Sequence, residues 1–425
     1  MKLTDFDAKA VTTALEQVSV RFHTRDVSEH RAMLAAHSKT SDRNYHAMVG
    51  SYLSRNRGAL GLRLLPECES SRGACWEKTA SAPLGTSGPP AMVTPPVARG
   101  EPADVGPQCD DDGAFKARMR FHQSFYRANV LRVACGTGPT AGSLRRYGNM
   151  LTREDGAAGR NFLTPEIHEV AERRVQESSD RVDPFRLMHN MLSSQPMCFN
   201  LFGPLAVDRE RAGRLLAALF PGEIARVHEV TIEYAPSPAS DYLADRTSFD
   251  AFIDYERDSG ERAFIAVETK LTDSFSPERY DGAPYRRWMN GARMIWRDDD
   301  ERVVDPSHNQ VWRIHLLAIA LRDRPGSPYV AGRSVVVRHP LDESGASAVA
   351  GYRALLRGGD REPTFGEITL DVVADAFEKG VTGDDERAWV ASFRARYVSM
   401  EGSEAAWRER SAGRGGLLIG GGGSE

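Results

Sequence analysis

Two segments on either side of a tight turn decide how this chain of 425 residues reads. They are Ser248-Phe249-Asp250-Ala251-Phe252-Ile253-Asp254-Tyr255 and Ala263-Phe264-Ile265-Ala266-Val267-Glu268-Thr269-Lys270-Leu271. Both alternate with the two-residue period of a β-strand, and Asp258-Ser259-Gly260 between them is a turn signal, so they predict an antiparallel hairpin. On the second segment Phe264, Ala266, Glu268 and Lys270 share one face, and Ala263, Ile265, Val267 and Thr269 the other. Both faces are apolar near the turn, which predicts a central strand buried on two sides. Charges on such a strand are costly unless they are paired or used.

Pairing symmetric about Ser259 sets Asp250 directly opposite Glu268, with Cβ atoms about 5 Å apart. Asp254 then faces Phe264, nearer the turn. Adjacent carboxylates repel unless a cation lies between them. Two carboxylate oxygens, completed by waters and a substrate phosphate, suit Mg²⁺ or Mn²⁺. Lys270 beside them is placed to orient or deprotonate an attacking water, or to stabilise a pentacovalent phosphate. The plainer reading makes Glu268–Lys270 a salt bridge on an edge strand and Asp250 a solvated charge. Glu-x-Lys alone is common enough to fit that. The two apolar faces, the register and the order of the flanking elements favour the site.

Those flanks read as follows. Thr164-Pro165-Glu166 predicts a helix start that runs to about Ser178. A second helix starts at Asp183-Pro184 and carries Phe185 to Leu192. A third spans Arg209 to Phe220 and stops at Pro221-Gly222. Val227 to Tyr234 is a strand, Ser307 to Arg322 a helix with Val311, Ile314, Ala318 and Leu321 on one stripe, and Ser334 to Arg338 a buried strand. The core order is helix, three strands, helix, strand: an α/β protein with a mixed central sheet flanked by helices.

Residues 1–60 read as an N-terminal helical region. Residues 61–112 read as a flexible linker, because eight of the 23 prolines fall between Pro66 and Pro107. Phe115 to Val133 is helical and basic. Helices near 347–357 and 384–398 make 346–410 a C-terminal helical region. Residues 411–425 hold seven glycines and read as a disordered tail.

Composition sets outer bounds. Net charge is −4 from 55 basic and 59 acidic residues. Nucleic-acid binding must therefore come from local patches rather than a global basic field. No apolar run approaches the roughly 18 residues of a membrane helix, and the N-terminus lacks an apolar signal core, so a cytoplasmic protein without membrane contact is expected. Five irregularly spaced cysteines fit a reducing compartment.

The segment Ser248-Phe249-Asp250 … Ile265-Ala266-Val267-Glu268-Thr269-Lys270 resembles the PD-(D/E)XK nuclease superfamily, with Phe249 where a proline usually precedes the aspartate. Three further stretches are similar to a bacterial group of restriction endonucleases within it: Ser193 to Leu205 (SSQPMCFNLFGPL), Gly148 to Leu151 with Asn161 to Leu163, and Asn309 to Arg313 (NQVWR). The resemblance covers roughly 115–400. It implies a restriction-endonuclease-like αβββαβ core within 113–345, preceded by a helical lead-in, and a metal-dependent phosphodiesterase site. Residue by residue it implies Asp250 and Glu268 as metal ligands and Lys270 as the catalytic lysine. It also implies Gln310 as an assisting residue, although a polar residue at a helix N-terminus needs no such role. Glu229 or Glu233, or Gln195 on the preceding helix, could complete the site; the structural reading is preferred for each.

Arg279 to Arg302 holds six arginines with Tyr280, Tyr285, Trp288 and Trp296, but also five acids. Arg286, Arg287, Arg293 and Trp288 are read as nucleic-acid contacts; a lid packed on the protein is the competing reading. Three weaker signals are set aside. Gly136 to Gly142 lacks the Lys-Ser/Thr of a phosphate loop. Cys68 and Cys75 do not make a zinc site, and His308 and His315 are too far apart on one helix to pair on a metal.

The expectation is a Mg²⁺- or Mn²⁺-dependent endonuclease acting on DNA in restriction or defence, as a homodimer because double-strand cleavage needs two sites. The competing class is a catalytically inactive nucleic-acid-binding or adaptor protein on the same fold, with residues 1–112 recruiting a partner.

Overall fold

The computed structural model describes residues 104–177, 181–276, 278–292, 294–297, 300–357 and 364–419, with Leu53 and three strands nearer the N-terminus. The chain divides into two compact units, Met1–Ala91 and Met92–Glu425.

The first unit contains β1 (Arg21–His23), β2 (Leu62–Ser70) and β3 (Gly73–Lys78), in the antiparallel order β1-β3-β2. This corrects two expectations. Residues 21–23, in the region read as helical, are a strand, and the linker expected from residue 61 opens with a hairpin. Leu62-Arg63-Leu64-Leu65 and Ala74-Cys75-Trp76 carry enough apolar residues to pair, with Leu64 opposite Trp76. Pro66 is tolerated because β2 is an edge strand and its register shifts between Leu65 and Ser70. Apart from Arg21–His23 and Leu53, the region 1–60 read as helical lies outside the described residues, as does 79–103 of the linker.

The second unit begins with a helix at Ala114–Phe125 that continues as a π-turn over Tyr126–Leu131. A short hairpin follows, β4 (Cys135–Thr137) and β5 (Arg146–Leu151). Helices at Pro165–Glu177, Pro184–His189, Ser194–Val207 and Arg209–Leu219 lead into the central sheet. Asp183, Ser193 and Asp208 each cap one of these by accepting from a backbone amide in its first turn. The second helix stops at His189, short of Leu192, because Asn190 turns extended and bridges to Met150.

The central sheet comprises β6 (Arg226–Tyr234), β7 (Phe249–Glu256), β8 (Arg262–Lys270), β9 (Ala331–Arg338) and β10 (Phe365–Thr369), ordered β10-β9-β8-β7-β6. β6, β7 and β8 run antiparallel; β9 and β10 add in parallel. The Asn309–Asp323 helix makes the crossover from β8 to β9. The expected αβββαβ order is therefore present. Gly260, at φ +82°, closes the β7–β8 turn where a side chain would be strained.

Alternation splits the core in two. Ala251, Ile253, Ile265, Val267, Val335 and Val337 face one layer of helices. Phe252, Phe264, Ala266 and Val336 face the other, built around Trp312 of the crossover helix. β8 is buried on both faces, as its pattern predicts.

Three boundaries change. The sheet extends beyond residue 345, because β10 pairs with β9; a five-residue strand containing Gly366 has too little periodicity to announce itself. A helix at Leu370–Gly380 that the sequence did not signal packs behind it. The Glu404–Ile419 helix runs into the expected disordered tail despite its glycines, anchored by Trp407 against Phe121 and Arg118. Residues 420–425 lie outside the described residues. No helix among the described residues is long and apolar enough to cross a membrane.

Candidate active site

The hairpin register locates the site. Ala251 pairs with Val267, Phe252 with Ala266 and Asp254 with Phe264. Asp250 is the next residue of β7 and Glu268 the next residue of β8 beyond the Ala251–Val267 pair. The Asp250 carboxylate Oδ2 accepts from the Thr269 amide and from the Thr269 hydroxyl, both at 2.7 Å. Glu268 and Lys270, spaced two apart on β8, project together and are almost wholly buried. Lys270 Nζ lies 3.1 Å from Glu268 Oε1, and its ammonium sits over the Phe275 ring.

Gln310, the second residue of the crossover helix, joins this group from above the sheet. Its Nε2 donates to Glu268 Oε1 at 2.7 Å. Its Oε1 accepts from Lys270 Nζ at 3.3 Å and from the Ser276 amide at 2.8 Å. Both ends of one amide are thus committed, which fixes its orientation and ties the loop after β8 to the site.

Of the three residues preferred as structural, two reach the site. Glu233, at the end of β6, has a left-handed backbone, φ 55°, unusual for a side-chain-bearing residue. Its Oε1 accepts from Gln195 Nε2 at 3.0 Å. Gln195 Oε1 is buried and has no hydrogen-bond partner among the described residues. Glu229 stays away: it is exposed and pairs along the sheet with Asp254. Arg186 and Asp273 form a further pair at 2.8 Å beside Asp250, and Asp273 accepts from the Ser194 amide and hydroxyl at the start of the Ser194–Val207 helix. No sequence spacing signals that pair, because its members are brought together only by the docking of helix and loop.

The electrostatics follow from crowding. Burial, then the charge of Asp250, pushes Glu268 up to about 7, against the pull of Lys270. Burial and the same Asp250 charge push Glu233 up to about 8. Asp250 is itself raised by burial, countered by its bonds to Thr269. Three buried carboxyls, two of them raised further by the charge of Asp250, are a locus where positive charge is missing. No group of three or more His, Cys, Asp or Glu side chains among the described residues stands as a ready cage for a metal ion. The donor chemistry nevertheless fits a hard divalent cation. Asp250 and Glu268 offer carboxylate oxygens, and the orphaned Gln195 oxygen lies next to Glu233.

The arginine- and tryptophan-rich segment is largely turned inward. Tyr285 and Trp296 are buried in the core. Trp288 packs against that core and donates from its indole to the Tyr242 carbonyl at 3.0 Å. The structure thus corrects the reading of Trp288 as a surface for base stacking: the ring is half-buried and its polar end is spent. Arg286 is paired with Asp281 and Glu301, while Arg287 is exposed and lies over the Trp288 ring. Arg293 lies outside the described residues. His315 is a core residue, bonded to Tyr352 and Thr364 and lowered by burial to about 3.

The sequence profile of the PD-(D/E)XK nuclease superfamily matches residues 110–399. No curated protein and no solved structure gives a match. The profile spans the whole central sheet together with its flanking helices, and on that match the chain belongs to the PD-(D/E)XK nuclease superfamily.

Proposed function

We propose that this nuclease is a divalent-metal-dependent endonuclease that hydrolyses phosphodiester bonds in DNA, in restriction or defence. The observation that carries the reading is the convergence of Asp250, Glu268, Lys270 and Gln310 at one buried end of β7 and β8.

Asp250 and Glu268 would hold Mg²⁺ or Mn²⁺, with Glu233 and Gln195 alongside. The bound ion would supply charge neutralisation at the phosphate and a lowered pKa for water. The chain's own residues do the rest. Lys270 donates to the water that attacks phosphorus, or to the phosphate oxygen that gains charge as the fifth bond forms. The water gives up a proton as its oxygen bonds to phosphorus, the bond to the leaving oxygen breaks, and that oxygen takes up a proton from solvent, so the proton count is unchanged. Gln310 keeps Glu268 and Lys270 in register with one another. Two such sites in a homodimer would cut both strands. Residues 1–112 are read as the part that meets a partner.

The test is plasmid cleavage with Mg²⁺ or Mn²⁺ by the wild type, Glu268→Ala and Lys270→Ala. Cleavage by the wild type that is lost in both folded variants supports the reading. Cleavage that persists in both variants overturns the site. A wild type that cleaves neither DNA nor RNA, and whose Mn²⁺ binding by calorimetry is unaffected by Glu268→Ala, favours an inactive binding protein.

A further inference from the structure

We infer that the β4–β5 hairpin is a duplex-DNA contact, with Arg145 and Arg146 on backbone phosphates and Leu144 inserted into a groove. The inference rests on the proposed function and names the surface that brings its substrate in.

The charge is unusually segregated. Between Phe115 and Arg153 the sequence has eight basic residues and no acidic one, in a chain of net charge −4. Part of that charge is spent internally. Arg120 is held by Asp112 and Asn149. Arg127 is buried, and its guanidinium ties the Gly148 carbonyl at 2.7 Å and the Asp104 carbonyl at 3.0 Å, which braces β5 from behind. Lys116 pairs with Asp112 and Arg118 with Glu404. What remains lies on or beside the hairpin: Arg132, Arg145, Arg146 and Arg153 are exposed, and no ion pair joins any of them to a carboxylate among the described residues. The Arg145 guanidinium lies over the Tyr147 ring, 4.9 Å from its centroid.

Leu144 is 91% exposed, the most exposed large apolar side chain among the described residues. An exposed leucine beside two arginines suits nucleic acid better than protein. Apolar wedges between base steps, flanked by arginines, are how small elements grip and bend a duplex. An apolar protein partner would want a wider patch than one residue.

The hairpin base is joined to the segment that leads into the site. Asn149 O accepts from the Met191 amide at 3.1 Å, and Asn149 Nδ2 donates to Asn190 at 2.9 Å. Arg186 lies just before that junction and Gln195 just after it. A duplex held at the hairpin is therefore held by the segment that supplies Arg186 and Gln195 to the carboxylates.

The test is fluorescence anisotropy of a labelled DNA duplex with the full chain in EDTA, over a salt titration. The proteins are the wild type, Arg145→Ala/Arg146→Ala and Leu144→Ser, with thermal melts to verify folding. Because Arg146 also donates to the Cys135 carbonyl, Arg145→Ala alone is the control for misfolding. The expected result is a salt slope reduced by about 0.9 for each arginine removed, and for Leu144→Ser weaker binding at an unchanged slope. Equal affinity and slope in all variants overturns the hairpin while plasmid cleavage still judges the active site. A wild type that does not bind the duplex also overturns it. Binding of an RNA duplex as tight as that of DNA, with the same variant effects, overturns the assignment to DNA.

Discussion

Gln310 Nε2 donates to Glu268 Oε1 at 2.7 Å, so the crossover helix reaches the central strand at a buried carboxylate that Asp250 and Lys270 also act on. The same side chain accepts from Lys270. Gln310 is therefore a positioning residue: it touches both members of the dyad. Gln310→Ala is expected to lower kcat about 10- to 100-fold, as loss of an outer-shell partner commonly does, with little change in KM. Gln310→Glu is expected to fail to rescue, because a fourth carboxylate would face Glu268. Steady-state kinetics on a labelled duplex measures the split; a variant with wild-type kcat contradicts the role.

Lys270 opposes the repulsion that raises Glu268. Lys270→Met is expected to reduce cleavage by about a hundredfold or more, the scale for losing one donor to developing charge. Its structural cost is expected to depend on pH. Without the ammonium, Glu268 titrates still higher and takes up a proton, so the variant is closest to the wild type in slightly acid solution and falls away above neutrality. Chemical denaturation at about pH 6 and about pH 8 reads this difference.

The metal-free protein is expected to lose stability as pH rises. Glu268 and Glu233 have folded-state values of about 7 and about 8, above the ordinary glutamate value of about 4.3 in the unfolded chain. A carboxyl raised on folding contributes stability that is complete below the unfolded value and is lost as pH climbs through the folded one. Melting in EDTA should fall between about pH 5 and about pH 8, and Glu268→Gln should flatten that slope. Added Mn²⁺ should restore stability most at the alkaline end, where the ligands are ionised. A slope that is flat in the wild type contradicts the crowding of carboxylates.

Gly332 sits on β9 against the buried Phe264 ring, and a Cβ added there would collide with that ring. Gly332→Ala is expected to cost about 1–3 kcal/mol, the scale of overpacking a filled core, read as a lower denaturant midpoint. Trp288→Ala is expected to lower stability by about 1–2 kcal/mol, through lost packing and the lost bond to Tyr242, with the salt dependence of DNA binding unchanged. A Trp288→Ala protein of full stability and reduced DNA affinity would return that ring to the substrate.

The sequence by itself determined the β7–β8 hairpin and its register. A two-residue period and a turn at Ser259-Gly260 act over a few residues, so they set the register that pairs Ala251 with Val267, bring Asp250 and Glu268 to the same end of the hairpin and set Lys270 two residues on from Glu268. The order of strands and the crossover helix was legible for the same reason. Only the tertiary structure decided the rest of the site. Glu233 and Gln195 enter it through a left-handed turn at a strand end and the docking of a helix. Gln310 grips the dyad because the crossover helix packs over β8. Trp288 and Trp296 turn inward because that helix presents a core for them to fill. β10 exists as a strand because β9 offers it an edge. In each of these cases the partners lie far apart in the chain, and it is the packing of whole elements, with burial as its driving force, that brings them together.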